Sequence, residues 1–197
     1  MITRRCGLAL CALLAMGALS PAFAEPVPPA ERVPVDVRRT TLLVRDIDRS
    51  LPVYRDGLGL KVVYDQFIGK QPQTDPSVPA RPRMRLVLLR ANDTFVGALG
   101  LLQYFDKPPV PQADKPSRPT FGGVILVMNS ADLETRIEKL RSLPGVTIDT
   151  EPKPIEYPSA DGKGTIPVLF SAFYDPDGYF IELNKLLGKP AGTEQRN

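Results

Sequence analysis

The chain has 197 residues, 43% of them hydrophobic and 24% charged, a composition that fits one folded domain or two small modules and excludes wholesale disorder. With 25 basic and 22 acidic side chains the net charge is only +3, without the basic footprint of a nucleic-acid binder. Histidine is absent, and both cysteines, Cys6 and Cys11, lie near the N-terminus.

Residues 1–24 carry the features of an export signal. Arg4 and Arg5 form a charged start, Gly7 to Leu19 form an uncharged apolar run, and Ala22 and Ala24 are the small residues that a signal peptidase reads. The run is shorter than the roughly 20 residues of a membrane span. Cleavage after Ala24 sends the protein to the periplasm or the exterior, leaves no stable membrane anchor, and removes both thiols. The mature chain then has no cysteine and no histidine, which excludes thiolate and imidazole catalysis and the nitrogen and sulfur ligands of zinc. Sec and twin-arginine export both remain open.

Residues 25–36 are Pro-rich and read as a leader. Val37–Val44 is rich in β-branched residues and predicts a strand. Asp48 is a plausible cap for a helix through about Asp56, with Leu51 and Tyr54 on its buried face. Gly57 and Gly59 end that helix, and strands follow at 60–67, 83–90 and 95–104, with a long Pro-containing loop over 69–82. After a second Pro-rich connector at 107–119 the pattern repeats. Residues 121–128 predict a strand, and Asn129 or Ser130 can cap a helix to about Arg141 whose Leu133, Ile137 and Leu140 form one stripe. Asp132 and Arg136 are spaced for an ion pair across one helical turn. Strands at 146–150, 165–174 and 179–185 follow, with a loop over 151–164 and a tight turn at Asp175-Pro176-Asp177-Gly178. The order β-α-β-β-β occurs twice, over about 37–105 and 120–187, and residues 188–197 form a tail. A repeat of this kind means two modules completing one structure.

The segment Thr41 to Leu60 resembles the opening of the vicinal oxygen chelate superfamily, which includes glyoxalase I, extradiol dioxygenases, epimerases and bleomycin-resistance proteins. Tyr174 to Leu183 is similar to that family's last hairpin. The resemblance spans about 37–187 and implies an α+β fold, two βαβββ modules forming a cup-shaped incomplete barrel with the ligand site inside. It also implies four metal-ligand positions, which fall here on Arg39, Gly100, a site near Gly123, and Glu182. One carboxylate among four positions does not make a divalent-cation site, so the expectation is a protein without a metal or other cofactor.

Alternation along the strands places Arg39, Thr41 and Leu43 inside the cup and Leu42 and Val44 against the helices. The same logic turns Phe180, Glu182 and Asn184 inward, with Ala98, Gly100 and Leu102, and with Gly123, Ile125 and Val127. The expected ligand site is Arg39, Thr41, Gly100, Leu102, Gly123, Ile125, Phe180, Glu182 and Asn184, apolar with two charged anchors and widened by two glycines. A one-residue slip would exchange Arg39 for Arg38. Arg39 and Glu182 can pair structurally, or Arg39 can receive an anionic ligand. Arg81, Arg83, Arg85 and Arg90 read as a solvated strand face, with Arg85 an alternative at the cup mouth. The leading expectation is an exported binder of a small apolar or anionic molecule. The alternatives are a glyoxalase- or epimerase-type enzyme with Glu182 as base and Arg39 stabilising an enolate-like oxygen, and an envelope protein whose Pro-rich loops dock a partner. A homodimer is compatible with each.

Overall fold

A computed structural model describes residues 27–73, 75–107, 119, 121–159 and 162–188. The export-signal reading of residues 1–24 lies outside them, as does all but the first residue of the tail. The chain divides into two units, residues 1–32 and 33–197. In the first, Pro29–Glu31 forms one 3-10 turn, and the Arg32 Nε donates to the Val27 carbonyl at 2.9 Å.

The second unit holds two four-stranded sheets. In chain order its elements are β1 (Arg39–Leu43), α1 (Ile47–Pro52) running into a π-helical turn (Val53–Gly57), β2 (Lys61–Lys70), β3 (Pro82–Arg90), β4 (Ala98–Tyr104), β5 (Ile125–Asn129), α2 (Leu133–Arg141), β6 (Thr147–Pro158), β7 (Thr165–Tyr174) and β8 (Phe180–Leu186). The strand orders are β1-β4-β3-β2 and β5-β8-β7-β6, with the first pair of each sheet parallel and the others antiparallel. This is an α+β fold of two βαβββ modules with open sheets.

The repeat is close in register. Arg39–Leu43 pairs Ala98–Leu102 step for step as Ile125–Asn129 pairs Phe180–Asn184. The Val44 N–H donates to the Leu102 carbonyl, and the Ser130 N–H to the Asn184 carbonyl. One core serves both modules. Leu42, Leu99, Leu101, Val87 and Leu89 of the first sheet and Phe173, Ile181 and Leu183 of the second bury together with Ile47, Val53 and Tyr54 and the α2 stripe Leu133, Ile137, Leu140. At roughly 25 cal/mol per Å² of apolar surface removed from water, this shared core is the main stabiliser of the two-module unit.

Several expected boundaries move, for identifiable reasons. The α1 cap is Asp46, whose carboxylate accepts from the Asp48 N–H, so the helix starts two residues earlier than Asp48 suggests. The α2 cap is Asp132, and Ser130 hydrogen-bonds that carboxylate instead of capping the helix itself. The strand expected from residue 121 begins at Ile125, because Phe121 and Gly122 form a turn in which Gly122 has φ +80°. The segment expected as a loop over 151–164 continues β6 to Pro158, despite Pro152 and Pro154. β6 is the outer strand of its sheet, where a missing N–H can face solvent.

Candidate functional site

Register assigns each sheet two faces. On the first sheet, Arg39, Thr41 and Leu43 lie level with Ala98, Gly100 and Leu102, and Leu88 and Leu86 continue that face across β3. On the second, Ile125, Val127 and Asn129 lie level with Phe180, Glu182 and Asn184, and Tyr174, Ala172 and Phe170 continue it across β7. Because Leu42, Leu101, Ile181 and Leu183 are buried against the helices, these are the faces turned away from the helical core, called concave below. The expected residues Arg39, Thr41, Gly100, Leu102, Ile125, Phe180, Glu182 and Asn184 all fall on them. Arg39 takes the inward position, while the guanidinium of Arg38 lies over the Phe95 ring at 5.0 Å.

Apolar side chains on these faces stay open to solvent: Leu43 is 59% exposed, Ile125 44% and Val127 60%. Beside them the second sheet carries two buried oxygen atoms without a hydrogen-bond partner, the Tyr174 hydroxyl and the Asn184 Oδ1. Both belong to the face that carries Glu182 and Phe180, and the Tyr174 and Phe180 rings pack with centroids 5.0 Å apart. Burial pushes the Tyr174 hydroxyl above its usual pKa, with the Asp149 charge adding to it, so this group is a neutral donor at physiological pH.

Four expectations for the site are corrected. Arg39 and Glu182 do not pair; among the described residues neither makes an ion pair. Their strands belong to different sheets, β1 bordered by β4 and β8 by β5 and β7, so no ladder brings them together. Gly100 does not open space for a ligand either. A Cβ there would meet the Thr41 Oγ1 at 2.8 Å and the Arg39 Cδ at 3.3 Å, so the glycine makes room for its own neighbours. Gly123 is exposed and precedes β5, so it does not widen a strand. Arg85 likewise leaves the cup mouth for the helix side, where it bridges Asp48 of α1 at 2.7 Å and Asp65 of β2 at 2.8 Å.

The four positions matched to metal ligands hold a guanidinium, a glycine, a glycine and one carboxylate, and that donor set does not fit a divalent cation. Among the described residues no three histidine, cysteine or acidic side chains come together in metal-binding geometry.

Sequence reasoning missed the polar joint between the modules. The Asp175–Gly178 turn before β8 reaches the β1–α1 corner of the first module. Asp177 Oδ1 accepts from the Arg45 N–H and Nε at 3.0 Å each, and its Oδ2 accepts from the Ser50 hydroxyl. Asp175, fully buried, accepts from the Tyr54 hydroxyl at 2.8 Å and from the N–H groups of Asp177 and Tyr179. Burial raises the Asp175 carboxyl to about 6 against those hydrogen bonds. The Tyr179 hydroxyl accepts from the Leu43 N–H and donates to the Leu43 carbonyl, each at 3.0 Å. The signal was available in the two acids of a turn whose apolar flanks are strands, but a turn role already accounted for both.

Residues 37–183 match the model of the Glyoxalase/Bleomycin resistance protein/Dioxygenase superfamily. A glyoxalase family protein from Bacillus cereus superposes with a TM-score of 0.58 at 14% identity, covering 81% of this chain and 99% of that one. A glyoxalase I variant from Zea mays gives 0.51 at 19% identity, covering 75% of this chain and 45% of its own length. Glyoxalase I from Leishmania major gives 0.49 at 22% identity, with 77% and 86% covered. At these identities the likeness is one of fold. No curated protein matches the sequence.

Proposed function

This chain belongs to the Glyoxalase/Bleomycin resistance protein/Dioxygenase superfamily, and we propose that within it the protein is an exported, metal-free binder of a small apolar or anionic molecule on its concave face. The observation that carries this reading is the pair of buried, unpartnered oxygens, Tyr174 hydroxyl and Asn184 Oδ1, on the face of Glu182 and Phe180. A buried polar atom left unsatisfied costs about 1–3 kcal/mol. A ligand whose approach displaces the groups covering them and that hydrogen-bonds to Tyr174 and Asn184 recovers that cost on binding. Open apolar neighbours such as Val127 supply hydrophobic contact, and Arg39, without an ion pair among the described residues, is available to a carboxylate or phosphate. The features of residues 1–24 support export.

Binding is favoured over proton transfer by Glu182. Its direct cross-strand neighbours are Val127 and Ala172, and the proton-bearing group on that face, the Tyr174 hydroxyl, is held above its usual pKa by burial, which favours it as a hydrogen-bond donor over a proton shuttle. A glyoxalase- or epimerase-type reaction needs a second proton-handling group there. The experiment is mass spectrometry of small molecules released on denaturing the purified mature protein, compared with Asn184→Leu and Arg39→Ala. A compound whose yield per chain falls several-fold in both variants supports the proposal. Absence of any compound, or a yield that both variants retain, overturns it.

A further inference from the structure

The joint that Tyr179 makes with β1 has no counterpart in the other half of the repeat. The residue matching Tyr179, immediately before β4, is Gly97, with φ +66° and nothing within 4 Å of where a Cβ would stand. The strand edge matching Leu43 is Asn129. Because the Ser130 N–H points to β8, the N–H and C=O of Asn129 point the other way, to the free edge of β5, as those of Leu43 do on β1. Among the described residues nothing hydrogen-bonds to the Asn129 carbonyl. Where Tyr179 would sit there is instead a cavity of about 610 Å³, bounded by Leu60, Leu99, Leu126, Met128 and the Asn129–Asp132 corner. That volume lies within the roughly 300–1,000 Å³ of small-molecule sites. The cavity borders the concave face at Ala98, Val127 and Asn129 but is not lined by Glu182, Asn184 or Phe180.

We propose that this cavity binds a small para-substituted phenol whose ring fills the apolar walls and whose hydroxyl accepts from the Asn129 N–H and donates to the Asn129 carbonyl. The protein already contains the pattern for this contact. Tyr179 is a para-substituted phenol satisfying the matching edge at Leu43 in both directions, at 3.0 Å. The walls include Leu60, Leu99, Leu126 and Met128, which accept a flat ring, beside polar groups of Lys61, Asn92 and Ser130 that suit a hydroxyl. Among the described residues two cations line the cavity, Lys61 of β2 and Arg136 of α2, and Arg136 is already engaged with Asp132 at 3.0 Å and packs over Gly59.

The test titrates the ¹⁵N-labelled protein with p-cresol and with toluene, which has the same ring without the hydroxyl. The expected result is a downfield shift of the Asn129 amide proton with p-cresol and at least tenfold tighter binding than toluene. In Asn129→Pro the margin should vanish while toluene binding persists, since this N–H serves no ladder bond. If that variant fails to fold, the two probes on the unaltered protein still decide. Equal affinities, no binding, or shifts confined to Glu182 and Asn184 overturn the proposal, the last while leaving the concave site standing. A concentration-dependent Asn129 shift without phenol also overturns it, because a second copy of the chain then occupies the groove.

Discussion

Asp175 is the residue with the largest electrostatic consequence. It is fully buried between α1 and the last hairpin, and burial lifts its carboxyl from the ordinary 3.8 to about 6. An acid whose folded pKa is raised binds its proton more tightly in the native state than unfolded. It therefore costs stability as pH rises from about 4 through about 6, and no further above that. A shift of this size amounts to about 3 kcal/mol. Asp65 and Asp132 act with the opposite sign, since hydrogen bonds from Arg85 and Arg136 hold them below the usual range and their contributions fade in acid. In Asp175→Asn, urea midpoints measured between pH 4 and 7 should lose the falling component that the parent shows, with the acid-side loss retained. An unchanged pH profile would mean the carboxyl titrates normally. Gly100 offers a second residue-scale test. Its Cβ would stand 2.8 Å from the Thr41 Oγ1, and Thr41 is β-branched and stiff. Gly100→Ala should cost about 1–3 kcal/mol by overpacking, read from chemical denaturation, and a neutral effect would show that the concave face yields there.

At the scale of elements, one turn does much of the joining. Asp177 is nearly buried and holds Arg45 and Ser50 of the first module, while Tyr179 satisfies the free edge of β1. Removing the carboxylate in Asp177→Ala leaves the Arg45 N–H seeking water and the Ser50 hydroxyl only its longer bond to the Asp46 carbonyl. The expected loss is about 2–3 kcal/mol, with faster amide exchange at Arg45 than at α2 as the local signature. The turn itself was legible, because Asp-Pro-Asp-Gly between two apolar runs has few other conformations. Its grip on the first module was not, since nothing local in residues 175–178 points to Arg45 and Tyr54 more than 120 positions away. The α2 stripe was legible for the same reason as the turn, its spacing being a local property. The full length of β6 was hidden because proline argues against a strand unless the strand is known to be an outer one, and sheet order is not local. The expected Arg39–Glu182 pair was not legible either, because how far apart strands of different modules stand is not a local property.

For the whole molecule, the two halves agree in register yet differ in what closes them. One free edge is capped by Tyr179 and the other, at Asn129, has no hydrogen-bond partner among the described residues, while the concave faces keep apolar groups open and two polar atoms unsatisfied. The four family ligand positions meanwhile carry a single carboxylate, Glu182. Together these features are what the proposed reading rests on, a member of the superfamily that binds a small molecule without a metal. Native mass spectrometry of the mature protein, purified without chelators, tests that account most directly. The account predicts a fraction of chains carrying an organic adduct and none carrying a transition metal; a peak one transition-metal ion heavier than the bare chain, at full occupancy, would contradict it.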